Sequence, residues 1–205
     1  MHEIADIACN FTSDRFNNDI DKVINRAINN KVVKFALICS QLSDIDKLLK
    51  IYHQYSKNMF FTIGVHPHHA NEINDGYLKK LRELVTSNNP HAIGETGLDF
   101  FRNLSTYDEQ IFAFEEQIKI SIDTNKPLFL HQRDSHEDFI KILKKYSSSI
   151  SKSVVHCFTG TQEQLDIYIE LGCYIGITGW ICDEKRNIEL RKTIKNIPIE
   201  RLMIE

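Results

Sequence analysis

Eight short apolar runs, separated by amphipathic stretches of helix length, constrain the fold of this chain more than any other feature of its sequence. The runs are "EIADIACN" (3–10), "VVKFALICS" (32–40), "MFFTIGV" (59–65), "HAIGE" (91–95), "PLFLH" (127–131), "SVVHC" (153–157), "CYIGITG" (173–179) and "RLMIE" (201–205). Most are nearly continuous in Val, Ile, Leu and Phe, the composition of strands covered on both faces. Between them, the clearest helix runs from Tyr107 to about Asn125. There Ile111, Phe114, Ile118 and Ile122 share one face at spacings of three, four and four. "TYDE" (106–109) and "TQEQ" (161–164) have capping-box form ahead of helices. Further helices are predicted at about 17–30, 41–57, 74–88, 135–147 and 183–196. Asp134 is expected to cap the helix that follows the fifth run.

The order is strand then helix, seven times, and an eighth strand. Parallel strands with helical crossovers are the economical arrangement of such a chain. Eight of them predict a closed TIM (β/α)₈ barrel forming a single domain over 1–205. No G-x-G-x-x-G follows the first strand, which argues against an open dinucleotide-binding sheet. Typical barrels run to about 250 residues. This chain of 205 is therefore expected to stop at its eighth strand, incomplete at the C-terminus and lacking the last helix.

A formal net charge of −3 excludes a global positive field, so any contact with nucleic acid must be local. Nothing reaches the roughly 18 apolar residues of a membrane span. "MHEIADIACN" has no basic n-region or long apolar h-region, so it does not read as a secretory signal. Cys9, Cys39, Cys157, Cys173 and Cys182 form an odd, scattered set without C-x-x-C, which fits a reducing compartment. A cytoplasmic protein without membrane contact is expected, with a monomer as the favoured state.

Active sites of such barrels sit at the C-terminal ends of the strands. Those ends read "NFT" (10–12), "GVHPHH" (64–69), "GETGLDF" (94–100), "HQRD" (131–134), "HCFTG" (156–160) and Glu205. One His at a strand tip is more often a hydrogen-bonded core residue than a ligand. Several tips carrying His or Glu at the same barrel end point to a divalent ion held by Glu95, His131 and His156. Zn, Mn, Fe and Mg all suit imidazole with carboxylate. His66 and His68, separated by Pro67 in a loop, suit a substrate contact or a place behind the ligands as well as ligation. His69 and His2 read as solvated, and His136 and His53 as surface residues of helices.

Taken together, "IGVHPHH", "IGETGLDF", "LHQRDSHEDF" and "VVHCFTGT" resemble the TatD family of metal-dependent deoxyribonucleases. "YIGITGWICDEKR" (174–186) and "NFTSDRF" (10–16) resemble the TatD subgroup in particular. The resemblance runs from the first strand to the last residue, through several motifs in fixed order. It implies a TIM-barrel hydrolase of the metallo-dependent type, with 3′-to-5′ exonuclease action on single-stranded DNA and a place in DNA repair. Carried over by motif, Glu95, His131 and His156 become metal ligands, with magnesium as the first choice of ion and manganese or zinc as alternatives. His66 becomes a residue near the scissile phosphate, beside the catalytic Glu95. Arg133 and Arg102 become candidate phosphate contacts.

Two departures from the family pattern matter. Many members open with D-x-H-x-H, where this chain offers Asp6, Asn10 and Thr12. That implies fewer strong ligands and one firmly held ion. Members also continue past the eighth strand as E-[TS]-D-x-P, whereas Glu205 is the last residue here. The chain as it stands is therefore expected to be weak or inactive as a nuclease, and apolar surface on the first and last strands is expected to lie open. Two rivals stay open at this stage: a barrel hydrolase acting on a small ester, amide or lactone, and a non-catalytic truncated copy. No Ser or Cys nucleophile elbow is visible, so the chemistry expected is attack by a metal-activated water without a covalent intermediate.

Overall fold

A computed structural model describes residues 2–183 and 187–205. Its strands are β1 (Ile4–Cys9), β2 (Val32–Leu37), β3 (Met59–Ile63), β4 (Ala92–Asp99), β5 (Leu128–Arg133), β6 (Ser153–Val155), β7 (Tyr174–Ile177) and β8 (Leu202–Ile204). Alternating with them are α1 (Ile20–Asn29), α2 (Ile45–Gln54), α3 (Asp75–Asn88), α4 (Tyr107–Thr124), α5 (His136–Tyr146), α6 (Gln162–Glu170) and α7 (Ile188–Thr193). Every ladder is parallel, and the sheet runs in chain order from β1 to β8. β1 and β8 lie side by side without a ladder between them, so the barrel is nearly closed. This is the expected TIM barrel. Among the described residues, no helix is long and apolar enough to cross a membrane.

The apolar stripe of α4 does what its period predicts. Phe114 and Ile118 are fully buried, and Phe114 stacks on Phe139 of α5 with ring centres 5.2 Å apart. Phe139 in turn meets the fully buried Tyr168 of α6, edge to face at 5.9 Å. Each such side chain stabilises the fold by roughly 1.5–3 kcal/mol through burial alone. The rings thus tie α4, α5 and α6 together where these helices pack on β4, β5 and β7. Both expected capping boxes form, Thr106 with Glu109 and Thr161 with Gln164.

Three readings change. The fourth strand does not stop at Glu95 but continues through Gly97 to Asp99. The helix expected over 183–196 is α7 followed by a 3₁₀ turn, Ile194–Asn196, with 184–186 outside the described residues. Asp134 does not cap α5. It adopts a φ of +51°, and Ser135 takes the N-cap position. The first amides are met instead by Gln132. Its side-chain oxygen, oriented to satisfy both partners, lies 3.1 Å from the nitrogens of Ser135 and His136. The expected open edge is partial: Ile204 is exposed, while Leu202 and Met203 are half-buried.

Candidate metal centre

Five polar strand tips, His66, Glu95, His131, His156 and Glu205, meet at the C-terminal end of the barrel, and four of them donate their amides to another strand or loop. His66 N–H binds Ser40 O at 2.9 Å, Glu95 N–H binds Cys39 O at 2.8 Å, His156 N–H binds Leu130 O at 3.0 Å, and Glu205 N–H binds Ile177 O at 3.1 Å. Two buried glutamines of α4, two turns apart, hold the adjoining backbone. Gln117 accepts from Val65 N–H at 2.7 Å and donates to Val65 O at 3.0 Å. Gln110 makes the same pair of bonds to Asp99, at 2.8 and 3.2 Å. An amide satisfied on both sides costs little to bury and fixes what it touches. The His66 loop and the end of β4 are therefore set against one helix.

Glu95 is the hub. Its Oε1 lies 2.7 Å from Nε2 of His156, 3.0 Å from Nδ1 of His131 and 3.4 Å from Nε2 of His66. The other nitrogen of each strand-tip His is also engaged. Nε2 of His131 faces Asp99 Oδ2 at 3.3 Å, and Nδ1 of His156 faces Glu205 Oε2 at 3.0 Å. A carboxylate only accepts, and Glu95 is one as much as Asp99 and Glu205, so both nitrogens of each ring face an acceptor. An ion at the hub would take the inner nitrogens, Nδ1 of His131 and Nε2 of His156, and would leave the remaining proton of each ring on the outer nitrogen. Carboxylate–histidine pairs of this kind orient the imidazoles of metal sites.

Charge follows the same pattern. Burial opposes ionisation of Glu95, but His156 and His66 outweigh it and hold its pKa well below the ordinary value. Burial likewise opposes a charge on His156, yet Glu95 and Glu205 push its pKa well up. Asp99 is held below the usual carboxylate range, against its burial, by hydrogen bonds from His131, the Arg102 amide and His68.

His66, Glu95 and His131 each bring one donor atom within 4.8 Å of the others. Proximity alone would choose His66 as the third ligand, whereas hydrogen bonding chooses His156. Nδ1 of His66 accepts from the His68 N–H at 3.1 Å, so the proton of the neutral ring sits on Nε2, facing the site. A ring in that tautomer donates a hydrogen bond there and has no lone pair to offer. Burial also lowers the pKa of His66, only partly opposed by Glu95. The donor set of Glu95, His131 and His156 fits a borderline or hard divalent cation.

A family model for TatD-related DNases matches residues 5–205. The chain belongs to that family. It is 40% identical over 200 residues to the 3′-5′ ssDNA/RNA exonuclease TatD of Pantoea ananatis, covering 98% of this chain and 77% of that protein. The protein of the same name from Escherichia coli K12 is 41% identical, over 98% of this chain and 76% of its own. Among solved structures, a TatD-family hydrolase from Entamoeba histolytica superposes with a TM-score of 0.89 at 34% identity, covering all of this chain and 73% of that one.

The remaining expected site residues separate into near and far. Arg133 is exposed beside the cluster, its guanidinium 3.9 Å from the Phe101 ring centre. Arg102 reaches the cluster only through its backbone, whose N–H donates to Asp99 Oδ1 at 2.8 Å, while its side chain is exposed. Asp6 bonds the Ala8 amide of its own strand at 3.0 Å, and Asn10 accepts from Thr12 at 3.1 Å. His69 pairs with Glu72. His136 is not a plain surface residue: its Nδ1 lies 2.9 Å from the buried Tyr168 hydroxyl. Sequence reading missed Asp99, whose Oδ2 lies 2.7 Å from Nε2 of His68, one of the two histidines expected in that loop.

Proposed function

We propose that this chain is a metal-dependent nuclease that hydrolyses phosphodiester bonds in DNA, working 3′ to 5′ on single strands. The observation that carries the proposal is the convergence of His131 Nδ1 and His156 Nε2 on one oxygen of Glu95, in a member of a DNase family. Relatives about 40% identical bear the name 3′-5′ ssDNA/RNA exonuclease.

Glu95, His131 and His156 hold the ion, with magnesium first and manganese or zinc as alternatives. A divalent ion in that place supplies a water acidic enough to attack near neutral pH, and positive charge for the phosphate oxygens. Asp99 and Glu205 keep the two imidazoles in the ligating tautomer. His66, neutral with its proton on Nε2, donates a hydrogen bond to a phosphate oxygen. Proton transfer to the leaving oxygen would leave that ring an anion, so phosphate binding is the role that fits its tautomer. Arg133 and, more distantly, Arg102 supply further phosphate contacts. Residues 1–205 act as one hydrolase barrel. A monomer, a cytoplasmic location and a role in DNA repair belong to the same proposal.

The test is cleavage of an end-labelled single-stranded oligonucleotide by the purified protein with each ion, set against small ester substrates. Stepwise shortening from the 3′ end, abolished by chelator, is expected. Cleavage that survives full chelation would overturn the metal role.

A further inference from the structure

The end of the barrel opposite Glu95 is not filled. A cavity of about 320 Å³ enters it there, and all eight strands contribute to its wall. β4 to β7 do so with their first residues, Ala92, Leu128, Ser153 and Tyr174, which places the cavity at the N-terminal end. Barrel interiors are ordinarily packed with layers of bulky side chains. Here the small Ala36 and Ala92 stand in the wall, and Phe60, which also lines it, is 42% exposed. Phe129 divides the cavity from the metal centre, since its ring lines the one and lies 4.8 Å, centre to centre, from His156 of the other.

The wall is apolar in effect as well as in composition. Its polar side chains are already turned to protein partners. Thr62 Oγ1 accepts from the Cys39 N–H at 3.0 Å, the Ser153 hydroxyl donates to Cys173 Sγ at 3.2 Å, and Nδ1 of His91 accepts from the Phe61 N–H at 3.3 Å. A nucleobase would find little here to replace its hydrogen bonds with water. A hydrocarbon chain gives up none, and apolar cavities of this size in barrel mouths are common ligand sites. The space equals about ten waters at roughly 30 Å³ each, and so a chain of about ten carbons.

The mouth is cationic. Among the described residues, Lys152 is the one charged side chain in the wall other than a histidine. A second cavity, of about 310 Å³, shares Lys152, Ser153 and Tyr174 with the first and adds Arg201. The Arg201 guanidinium lies 5.0 Å from the Tyr174 ring centre and gives one N–H to the Gly172 carbonyl at 2.5 Å. No Asp or Glu lines either cavity among the described residues. An apolar recess that opens beside two cations is complementary to an apolar chain ending in an anion.

We propose that this end of the barrel binds a medium-chain fatty acid, its tail inside the ring of strands and its carboxylate at the mouth, on Lys152 and Arg201. The site lies apart from the Glu95 cluster, so the proposal goes beyond the nuclease reading and does not depend on it.

The test is calorimetric titration of the purified protein with hexanoate, octanoate, decanoate and tetradecanoate, each below the concentration at which it aggregates. One molecule per chain is expected to bind, with affinity rising about fourfold per methylene up to decanoate, the worth of burying each CH₂, and levelling off beyond it. Decanol, with the same tail and no charge, is expected to bind about fivefold more weakly. Lys152→Glu is expected to weaken decanoate about fivefold and leave decanol within about twofold, which a misfolded variant could not do. Ala36→Leu adds carbons to the wall, so the levelling off is expected at a shorter chain. Absence of saturable binding overturns the proposal, as does affinity that climbs with chain length without limit, the mark of adsorption to a surface. Decanoate affinity unchanged in Lys152→Glu overturns the placement of the carboxylate. Displacement of decanoate by deoxyadenosine 5′-monophosphate would make the cavity a nucleotide site and overturn the choice of ligand.

Discussion

Glu205 grips the base of the His156 ring from two sides: its Oε2 lies 3.0 Å from Nδ1 of His156, and its Oε1 accepts from the Cys157 amide at 2.5 Å. The carboxylate is thus fixed by the backbone it neighbours, and the ring is fixed by the carboxylate. Glu205→Gln keeps an acceptor but sets an NH₂ group against one of the two donors. Glu205→Ala removes both bonds. Metal affinity, measured by calorimetric titration with Mn²⁺, is expected to fall about 10–100-fold in the alanine variant and less in the glutamine variant. Equal affinities in all three proteins would show that Glu205 does not orient the ligand.

Asp99 plays the matching part for His131, and it also holds His68. Asp99→Asn is expected to weaken Mn²⁺ binding about tenfold or more, because the asparagine amide can meet Nε2 with either donors or an acceptor. His68→Ala removes the other imidazole partner of Asp99 and leaves the His131 and Arg102 contacts in place. Its effect on affinity is expected to stay within about threefold, so a larger loss in His68→Ala than in Asp99→Asn would reverse the assignment.

How far the sequence reached is clear from these residues. Continuous apolar runs bounded by helix caps made the barrel readable, and the barrel made His131 and His156 readable as strand tips. Asp99 was hidden because Gly94 and Gly97 look like the end of a strand. In the fold their positive φ angles, +149° and +144°, let β4 run on against β5. No pattern along the chain states which imidazole nitrogen faces the hub. That depends on the Asp99 and Glu205 contacts, which join residues far apart in sequence.

The protons on His131 and His156 give the site a pH signature. Without metal, burial works against their charged forms, but Asp99 and Glu95 outweigh it at His131, and Glu95 and Glu205 at His156, so both pKa values are raised. An ion can occupy the inner nitrogens only once those protons leave. Affinity is therefore expected to climb as pH rises from about 6.5, the ordinary histidine value, through the raised values, and then to level off. Calorimetry in two buffers of different ionisation enthalpy should show net proton release on binding. Affinity flat across that range would contradict the ligand assignment.

His66 separates binding of the ion from handling of the substrate. Its Nε2–H tautomer makes it a donor to phosphate, so His66→Ala is expected to leave Mn²⁺ affinity within about twofold while kcat/KM for single-stranded DNA falls. A hydrogen bond to a charged group is worth about 1.5–3 kcal/mol, which corresponds to a loss of roughly 10–150-fold. If His66 were instead the third ligand, as its proximity to Glu95 and His131 would suggest, metal affinity and turnover would drop together.

Gly97 is where the fold and the site depend on the same atom. Its φ of +144° disfavours any side chain, and a Cβ built there would overlap the carbonyl oxygen of His131. Gly97→Ala must strain β4, push β5 away, or both. Positive φ at a non-glycine residue costs about 1–3 kcal/mol, and forced overlap in a packed region costs about 1–3 kcal/mol more. Denaturant unfolding of the metal-free protein is expected to show a loss of about 2–6 kcal/mol. Because β5 carries His131, whatever folded protein remains should also bind Mn²⁺ more weakly, as the Asp99 and Glu95 contacts of that ring are pulled apart. A control at Gly172 isolates the cause. It has a φ of +78° but nothing within 4 Å of its added Cβ, so Gly172→Ala should cost only the backbone strain and leave the ion in place. Equal losses of metal affinity in the two variants would mean that close packing of β4 on β5 does not set the geometry of the site.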